Sequence, residues 1–276
     1  FKNLISGLDG SRKALQLLAI AAQHKQPMLF MANTVAELNE LEDEIQFLNQ
    51  NKREILRFSD WETLPYDAFS PHQDIISQRL ETLAKLTETK NPIVLTTVAS
   101  CITRLCPKHH LDAQRFHLEE GQELPLEQLS RKLTNAGYLN VENVHEHGEY
   151  AIRGALMDVY PMGAENPIRI DWFDNEIESI RWFDPETQRS ISKVAEIKML
   201  PAKEFPTTSQ GIQQFRQAFR ERFEANPLSS PIYQDISSGI IPAGIEYYLP
   251  LFFEQTASVF DYLPDNTLIV RSDNFN

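Results

Sequence analysis

Six consecutive residues, Ile93-Val94-Leu95-Thr96-Thr97-Val98, are β-branched or apolar with almost no alternation. A strand with one solvated face alternates polar and apolar residues. A strand without alternation is covered on both faces, which is the mark of a parallel sheet flanked by helices. The surrounding sequence supplies the helices. Ser11 to His24 is rich in Ala and Leu, and Met28-Leu29-Phe30-Met31 forms a short apolar strand inside Pro27 to Ala32. Asn33 or Thr34 caps a helix running to about Asn49, with Leu38, Leu41, Ile45 and Leu48 at helical spacing. Glu54 to Phe58 reads as a second strand, and Asp74 to Thr87 as a helix with Ile75, Leu80, Leu83 and Leu86 apolar. Residues 1 to about 115 therefore read as a doubly wound α/β unit.

The pattern changes near Gln114. A helix starts at Pro125, places Leu126, Leu129 and Leu133 on one face, and ends at Gly137 as a left-handed cap. Strands follow: Tyr150 to Tyr160, Ile168 to Phe173 and Ile177 to Phe183, with Asp174-Asn175-Glu176 as a tight hairpin. Pro201 to Thr208 has the composition of a linker. A helix beyond it carries Ile212, Phe215, Phe219 and Phe223 on one stripe. The run Thr267-Leu268-Ile269-Val270 reads as a further buried strand. These shifts divide the chain into an α/β body, 1–115, a small α+β domain of mainly antiparallel strands, 116–201, and a third segment, 202–276.

Composition narrows the function classes. With 26 Lys and Arg against 39 Asp and Glu, the net charge is −13. That argues against a chain that holds DNA chiefly through its phosphates, which needs clustered cations. The two cysteines, Cys101 and Cys106, are spaced poorly for a disulfide framework or a zinc site, and a reducing cytoplasm is expected. No apolar run approaches the ~18 to 20 residues of a membrane helix. The chain begins Phe1-Lys2-Asn3, without an initiator Met or signal peptide, and stops soon after an apolar run. It reads as a piece of a longer protein.

Gly7-Leu8-Asp9-Gly10-Ser11-Arg12-Lys13-Ala14 has the outline of a phosphate-binding loop. Two positions depart from it. Arg12 stands where a glycine lets backbone approach phosphate, and Ala14 stands where a hydroxyl ligates magnesium. The strand at the far end supplies Arg271-Ser272 where acidic residues would hold that metal, with Asp273 displaced. The loop is either a nucleotide site that has lost its chemistry or never was one, and on both readings no ATP hydrolysis is expected. The aromatic loop Trp61 to Pro71 offers stacking platforms, but Asp60, Glu62, Asp67 and Asp74 surround it, so packing onto the core is the expected role. His145-Glu146-His147 and Cys106 to His110 each lack a third ligand at metal spacing, so no metal or cofactor is expected.

The strand Ile168-Arg169-Ile170-Asp171-Trp172-Phe173 alternates. Ile168, Ile170 and Trp172 share the buried face, and Arg169, Asp171 and Phe173 share the other. A Phe beside an Arg on a polar face is a pattern enriched at interface hot spots, but the pattern alone favours an ordinary Phe covered by another element, with the arginines solvated. Arg153, on the preceding strand, joins that face.

These residues also carry a family resemblance. Glu146 to Gly163 and Arg169 to Ile177 resemble the UvrB homology module of bacterial transcription-repair coupling factors, the Mfd family. The stretches Asp60 to Arg79 and Pro242 to Tyr248 resemble the same family. The resemblance implies a degenerate helicase-like body of the RecA or P-loop type with an inserted small domain. The three segments above would then correspond to UvrB-like domains 1a, 2 and 1b. It implies an inactive nucleotide site at Gly7, Gly10, Arg12, Lys13, Ala14, Arg271 and Ser272. It also implies that Arg153, Arg169 and Phe173 bind UvrA, the arginines through forked hydrogen bonds. In the parent chain it implies RNA polymerase and double-stranded DNA as partners, an ATP-driven translocase, and a C-terminal domain that masks the UvrA surface. A weak DNA-binding scaffold and a residual UvrB-like ATPase are the alternatives.

Overall fold

The structure is a computed structural model describing residues 10–49, 53–65, 67–224 and 226–272. Along the chain run α1 (Ser11–Gln23), β1 (Met28–Ala32), α2 (Val35–Leu48), β2 (Ile55–Phe58), α3 (Gln73–Glu88), β3 (Ile93–Thr97), α4 (Val98–Ile102) and α5 (Lys108–Gln114). Then come β4 (Phe116–Glu119), α6 (Leu126–Asn135), β5 (Leu139–Asn140), β6 (Glu149–Arg153), β7 (Leu156–Val159), β8 (Ile168–Phe173) and β9 (Glu176–Phe183). β10 (Ser190–Lys193), β11 (Glu196–Met199), α7 (Ser209–Arg222) and β12 (Leu268–Arg271) complete the elements used below. The chain divides into two compact units. The described parts of 1–60, 82–103 and 258–276 form one, and those of 61–81 and 104–257 the other.

The first unit is built on a parallel sheet of strand order β12-β1-β3-β2. All five residues of β3 are buried, as the continuous β-branched run predicts. Its core joins Ala14 and Leu17 of α1, Phe30 of β1, Leu38, Leu41 and Ile45 of α2, and Ile93 and Leu95 of β3. Burying one such large side chain is worth about 1.5 to 3 kcal/mol. Thr34 caps α2, its hydroxyl accepting from the Glu37 amide. β12 corrects one expectation. It pairs only with β1 among the described residues and lies at the sheet edge, with Ile269 half exposed rather than buried.

The second unit contains an antiparallel meander, β10-β9-β8-β7-β6, with the short β5 added in parallel, and a separate pair, β11-β4. The expected strand Tyr150 to Tyr160 is a hairpin instead. Arg153 pairs with Leu156 across Gly154-Ala155, and Gly154 has φ +64°. A glycine at the first central position of a two-residue turn takes that angle without a Cβ penalty. At the end of α6, Gly137 (φ +87°) donates to the Thr134 carbonyl and Tyr138 to that of Leu133, a Schellman cap.

The segment 201–208 is also corrected. It is packed, not a free linker. Phe205 stacks on Phe252 at 4.7 Å and belongs to the core around Phe215 and Phe219 of α7. Glu204 forms a buried ion pair with Arg79 at 2.8 Å. The buried partners Phe252 and Arg79 fix the segment. On α7 itself, Phe215 and Phe219 are buried as expected, but Phe223 is the helix cap and is partly exposed. No helix among the described residues is long and apolar enough to cross a membrane.

Candidate functional site

The meander has one apolar face and one mixed face. Cross-strand partners point the same way, so the register sorts the side chains. Met157, Ile170 and Ile180 align on one side, with Ile168, Trp172 and Ile177, and all six are buried. On the other side Asp158, Arg169 and Arg181 form one cross-strand row, and Arg153, Leu156, Asp171 and Ser179 the next. β7 thus stands between Arg153 and β8, and the register still brings Arg153 to the face expected of it. Phe173 lies at the far end of the same face with 75% of its surface exposed.

This end of the sheet is rigidly held. Asp174 and Asn175 form a two-residue turn, with φ +55° at Asp174. The 121–124 segment runs alongside it. Leu124 N–H donates to Asn175 O at 2.8 Å, Ile177 N–H to Gln122 O at 2.9 Å, and the Trp172 indole N–H to Leu124 O at 2.7 Å. Phe173 is therefore presented from a fixed turn, which lowers the entropic cost of docking it.

The three predicted contact residues differ in freedom. Arg169 is mostly covered. Its Nε and Nη2 grip the two oxygens of the buried Asp158 at 2.7 and 2.9 Å, its Nη1 donates to Gln188 O at 3.3 Å, and its guanidinium lies 4.8 Å from the Phe183 ring centre. The bond to Asp158 holds the Arg169 pKa above its ordinary value. Its fork is used inside the chain. Arg153 is 44% exposed and donates through Nη2 to Asn143 Oδ1 at 2.7 Å, with Asp158 at 3.8 Å. Arg181 pairs with Asp171, which also accepts from the Ser179 hydroxyl at 2.9 Å. The face is a ring of paired charges beside one unpaired aromatic.

Lys13 of α1, Asn33, Glu37 of α2 and Ser272 form a second cluster. Gly7 and Asp273 lie outside the described residues. Gly10 (φ +53°) precedes α1, Arg12 and Arg271 are exposed, and Ala14 is fully buried. Lys13 Nζ lies 2.5 Å from Glu37 Oε1, and the Ser272 hydroxyl donates to the same oxygen at 2.5 Å. The Asn33 N–H donates to Oε2 at 2.9 Å. Burial alone would raise the Glu37 pKa, but the bonds from Lys13, Ser272 and Asn33 outweigh it and hold the carboxyl below its ordinary value. Thus Lys13 and Ser272, far apart in sequence, meet. Glu37, which joins them, was not anticipated. Its only sequence signal was an acidic residue three after a Thr cap.

Residues 116–205 match the UvrB interaction domain, and Arg153, Arg169 and Phe173 fall inside that match. Over 273 residues, 98% of its length, the chain is 44% identical to the transcription-repair-coupling factor of Escherichia coli strain K12, of which it covers 24%. It is 48% identical over 225 residues, 81% of its length, to that of Haemophilus influenzae, covering 20% of it. The corresponding Bacillus subtilis protein is 28% identical over 286 residues, 99% of this chain and 24% of the relative. The chain is a relative of the transcription-repair-coupling factors. It spans about a quarter of the length of those it matches.

The other stretches that resemble coupling factors, Asp60 apart, lie together in the second unit. The Trp61 and Tyr247 rings meet edge to face at 5.0 Å, and Ser70 donates to the Glu246 carboxylate at 2.9 Å. Gly244 passes so close that a Cβ there would meet Asp67 O at 2.5 Å. Trp61 is buried, as core packing of the aromatic loop requires, while Leu64 and Phe69 are exposed and Tyr66 lies outside the described residues. His147 has both ring nitrogens engaged, by Asp74 at 2.7 Å and the Ala164 carbonyl at 2.8 Å, which gives it a structural role.

Proposed function

We propose that this chain is a UvrB-like module of a transcription-repair-coupling factor that recruits UvrA to a lesion-stalled RNA polymerase for nucleotide excision repair. The observation that carries the reading is Phe173, a large exposed aromatic on a rigid turn beside paired arginines, inside the UvrB interaction domain match. Docking would remove its ring from water, worth about 1.5 to 3 kcal/mol on full burial. Arg153 is 44% exposed and its hydrogen bonds to Glu142 O and Asn143 Oδ1 use Nη2, so its guanidinium has donors left for a carbonyl or carboxylate of UvrA. Arg169 acts as a positioning residue, holding Asp158 and the strand.

The parallel-sheet unit is the remnant of a helicase-like body of the RecA type. Segments 1–115, 116–201 and 202–276 correspond to UvrB-like domains 1a, 2 and 1b. The departures at Arg12, Ala14, Arg271 and Ser272 leave the module without ATPase activity. Translocation on double-stranded DNA, polymerase binding and masking of the UvrA surface belong to the rest of the parent protein, which works in the cytoplasm. Calorimetric titration of UvrA with the wild-type chain and with folded Phe173→Ala and Arg153→Ala variants tests the docking face. Binding weakened in both supports it, and unchanged affinity overturns it. Magnesium-dependent ATP turnover by a highly purified sample would overturn the non-catalytic assignment.

A further inference from the structure

We propose that His117, Glu119 and Glu196 together form a zinc site on the β4–β11 ribbon. The ribbon itself places them. In β4, Leu118 is fully buried, so His117 and Glu119 share the outward face. In β11, Ile197 and Met199 are buried, so Glu196 and Lys198 point outward. The antiparallel register sets Glu196 opposite Glu119 and Lys198 opposite His117. One ligand atom from each of His117, Glu119 and Glu196 lies within 4.8 Å of the other two. His117 Nε2 stands 3.2 Å from Glu196 Oε2. Two ligands of a tetrahedral zinc ion, each bound at about 2.0 to 2.1 Å, are about 3.3 Å apart, so one edge of the coordination shell is already set. Rotation of the exposed Glu119 side chain closes the rest. Carboxylates alone would suit a hard cation such as calcium, and the imidazole shifts the set toward zinc. Three protein ligands leave a fourth position for water.

The register also holds a repulsion that a metal would remove. Two carboxylates directly opposite each other across a sheet destabilise the pairing. His117 and Lys198 on the same face offset part of that charge, and a divalent ion held by both carboxylates turns the repulsion into attraction. The consequence is a clamp. β4 opens the 116–205 match and β11 lies near its close. A metal held by both strands ties together positions far apart along the chain, where a cross-link restricts the unfolded chain most. Spacing within the sequence does not announce the set, because Glu196 comes from the other strand.

The test is calorimetric titration of zinc chloride into the wild-type chain and into His117→Ala, Glu119→Gln and Glu196→Gln. His145→Ala, at an exposed histidine outside the cluster, is the control. Circular dichroism checks that each variant is folded. One zinc per chain is expected, with affinity weakened about tenfold or more by each of the three cluster changes and unchanged in the control. Zinc should also raise the melting temperature of the wild-type chain, and leave that of the double variant His117→Ala with Glu196→Gln where it was. A wild-type chain with neither a binding heat nor a melting shift overturns the proposal. So does binding that the carboxylate changes weaken and His117→Ala leaves intact, because that is the behaviour of a diffuse acidic surface. Binding weakened as much by His145→Ala overturns it too.

Discussion

Phe173 leaves its ring in solvent while Arg169, two residues earlier on β8, closes a forked bond on the buried Asp158. Their substitutions should therefore behave in opposite ways. Phe173→Ala removes little packing, so its unfolding free energy should stay within about 0.5 kcal/mol of wild type. Its UvrA affinity should fall by about tenfold or more. Arg169→Ala strands a buried carboxylate and should cost about 3 kcal/mol in urea denaturation. Replacing Asp158 as well should recover part of that loss, since no charge is then left unpaired. A stable Arg169→Ala chain would remove Asp158 from the account. Loss of UvrA binding in this variant is informative only with its stability in hand, whereas Phe173→Ala reports on the surface directly. The alternation of β8 was legible because side-chain direction follows a period of two. The partnership with Asp158 was not, because it depends on which strand pairs with which.

At the level of elements, Gly211 in α7 offers a sharp test. Alanine in a helix interior is ordinarily better than glycine by about 1 kcal/mol. Here a Cβ would stand 2.4 Å from the Pro206 carbonyl oxygen and 2.8 Å from its ring. Backbone has to move to accept it, so Gly211→Ala should lower the unfolding free energy by about 1 to 3 kcal/mol. A rise in melting temperature would show that the Pro206 segment yields freely. The same segment marks the limit of reading elements from sequence. α1, α2, α3 and β1 to β3 were legible to within a residue or two, because their signals are local: helical spacing, a Thr cap, an unbroken apolar run. β4 and β11 were not, because each is short and its partner lies far along the chain. The burial of 201–208 was hidden for a related reason. Its Pro and Thr residues announce turns, while Phe205 and Glu204 are fixed by partners on α7, the Phe252 segment and Arg79. The alternation that places Phe173 and Arg153 on one face was legible from local pattern, whereas their exposure was not, since it depends on what else packs there. Glu37 was not, since nothing local brings Lys13 and Ser272 to it.

For the whole molecule, the two units carry carboxylates with opposite pH responses. In the first, Glu37 is held below its ordinary pKa by Lys13, Ser272 and Asn33 against the cost of burial. Its contribution to stability is complete above the unfolded carboxylate pKa and is lost as pH falls through the lowered folded value. In the second, burial raises the Glu246 pKa, and its own amide, the Lys203 charge and the Ser70 bond offset that only in part. Its contribution is complete below the unfolded pKa and is lost as pH rises through the raised folded value. Melting temperature followed from about pH 3 to pH 8 should separate the two. Glu37→Gln should flatten the acid limb of the curve. Glu246→Gln should match wild type in acid and exceed it near neutrality, because the amide keeps a polar partner for Ser70 without a buried charge. The net charge of −13 adds a general repulsion at neutral pH that would mimic part of the second effect. Salt distinguishes them. Surface repulsion is screened within a Debye length of about 8 Å at physiological ionic strength, whereas the buried Glu246 is screened far less. An advantage of Glu246→Gln that vanishes in moderate salt would assign it to the surface field, and one that persists would assign it to the buried carboxyl.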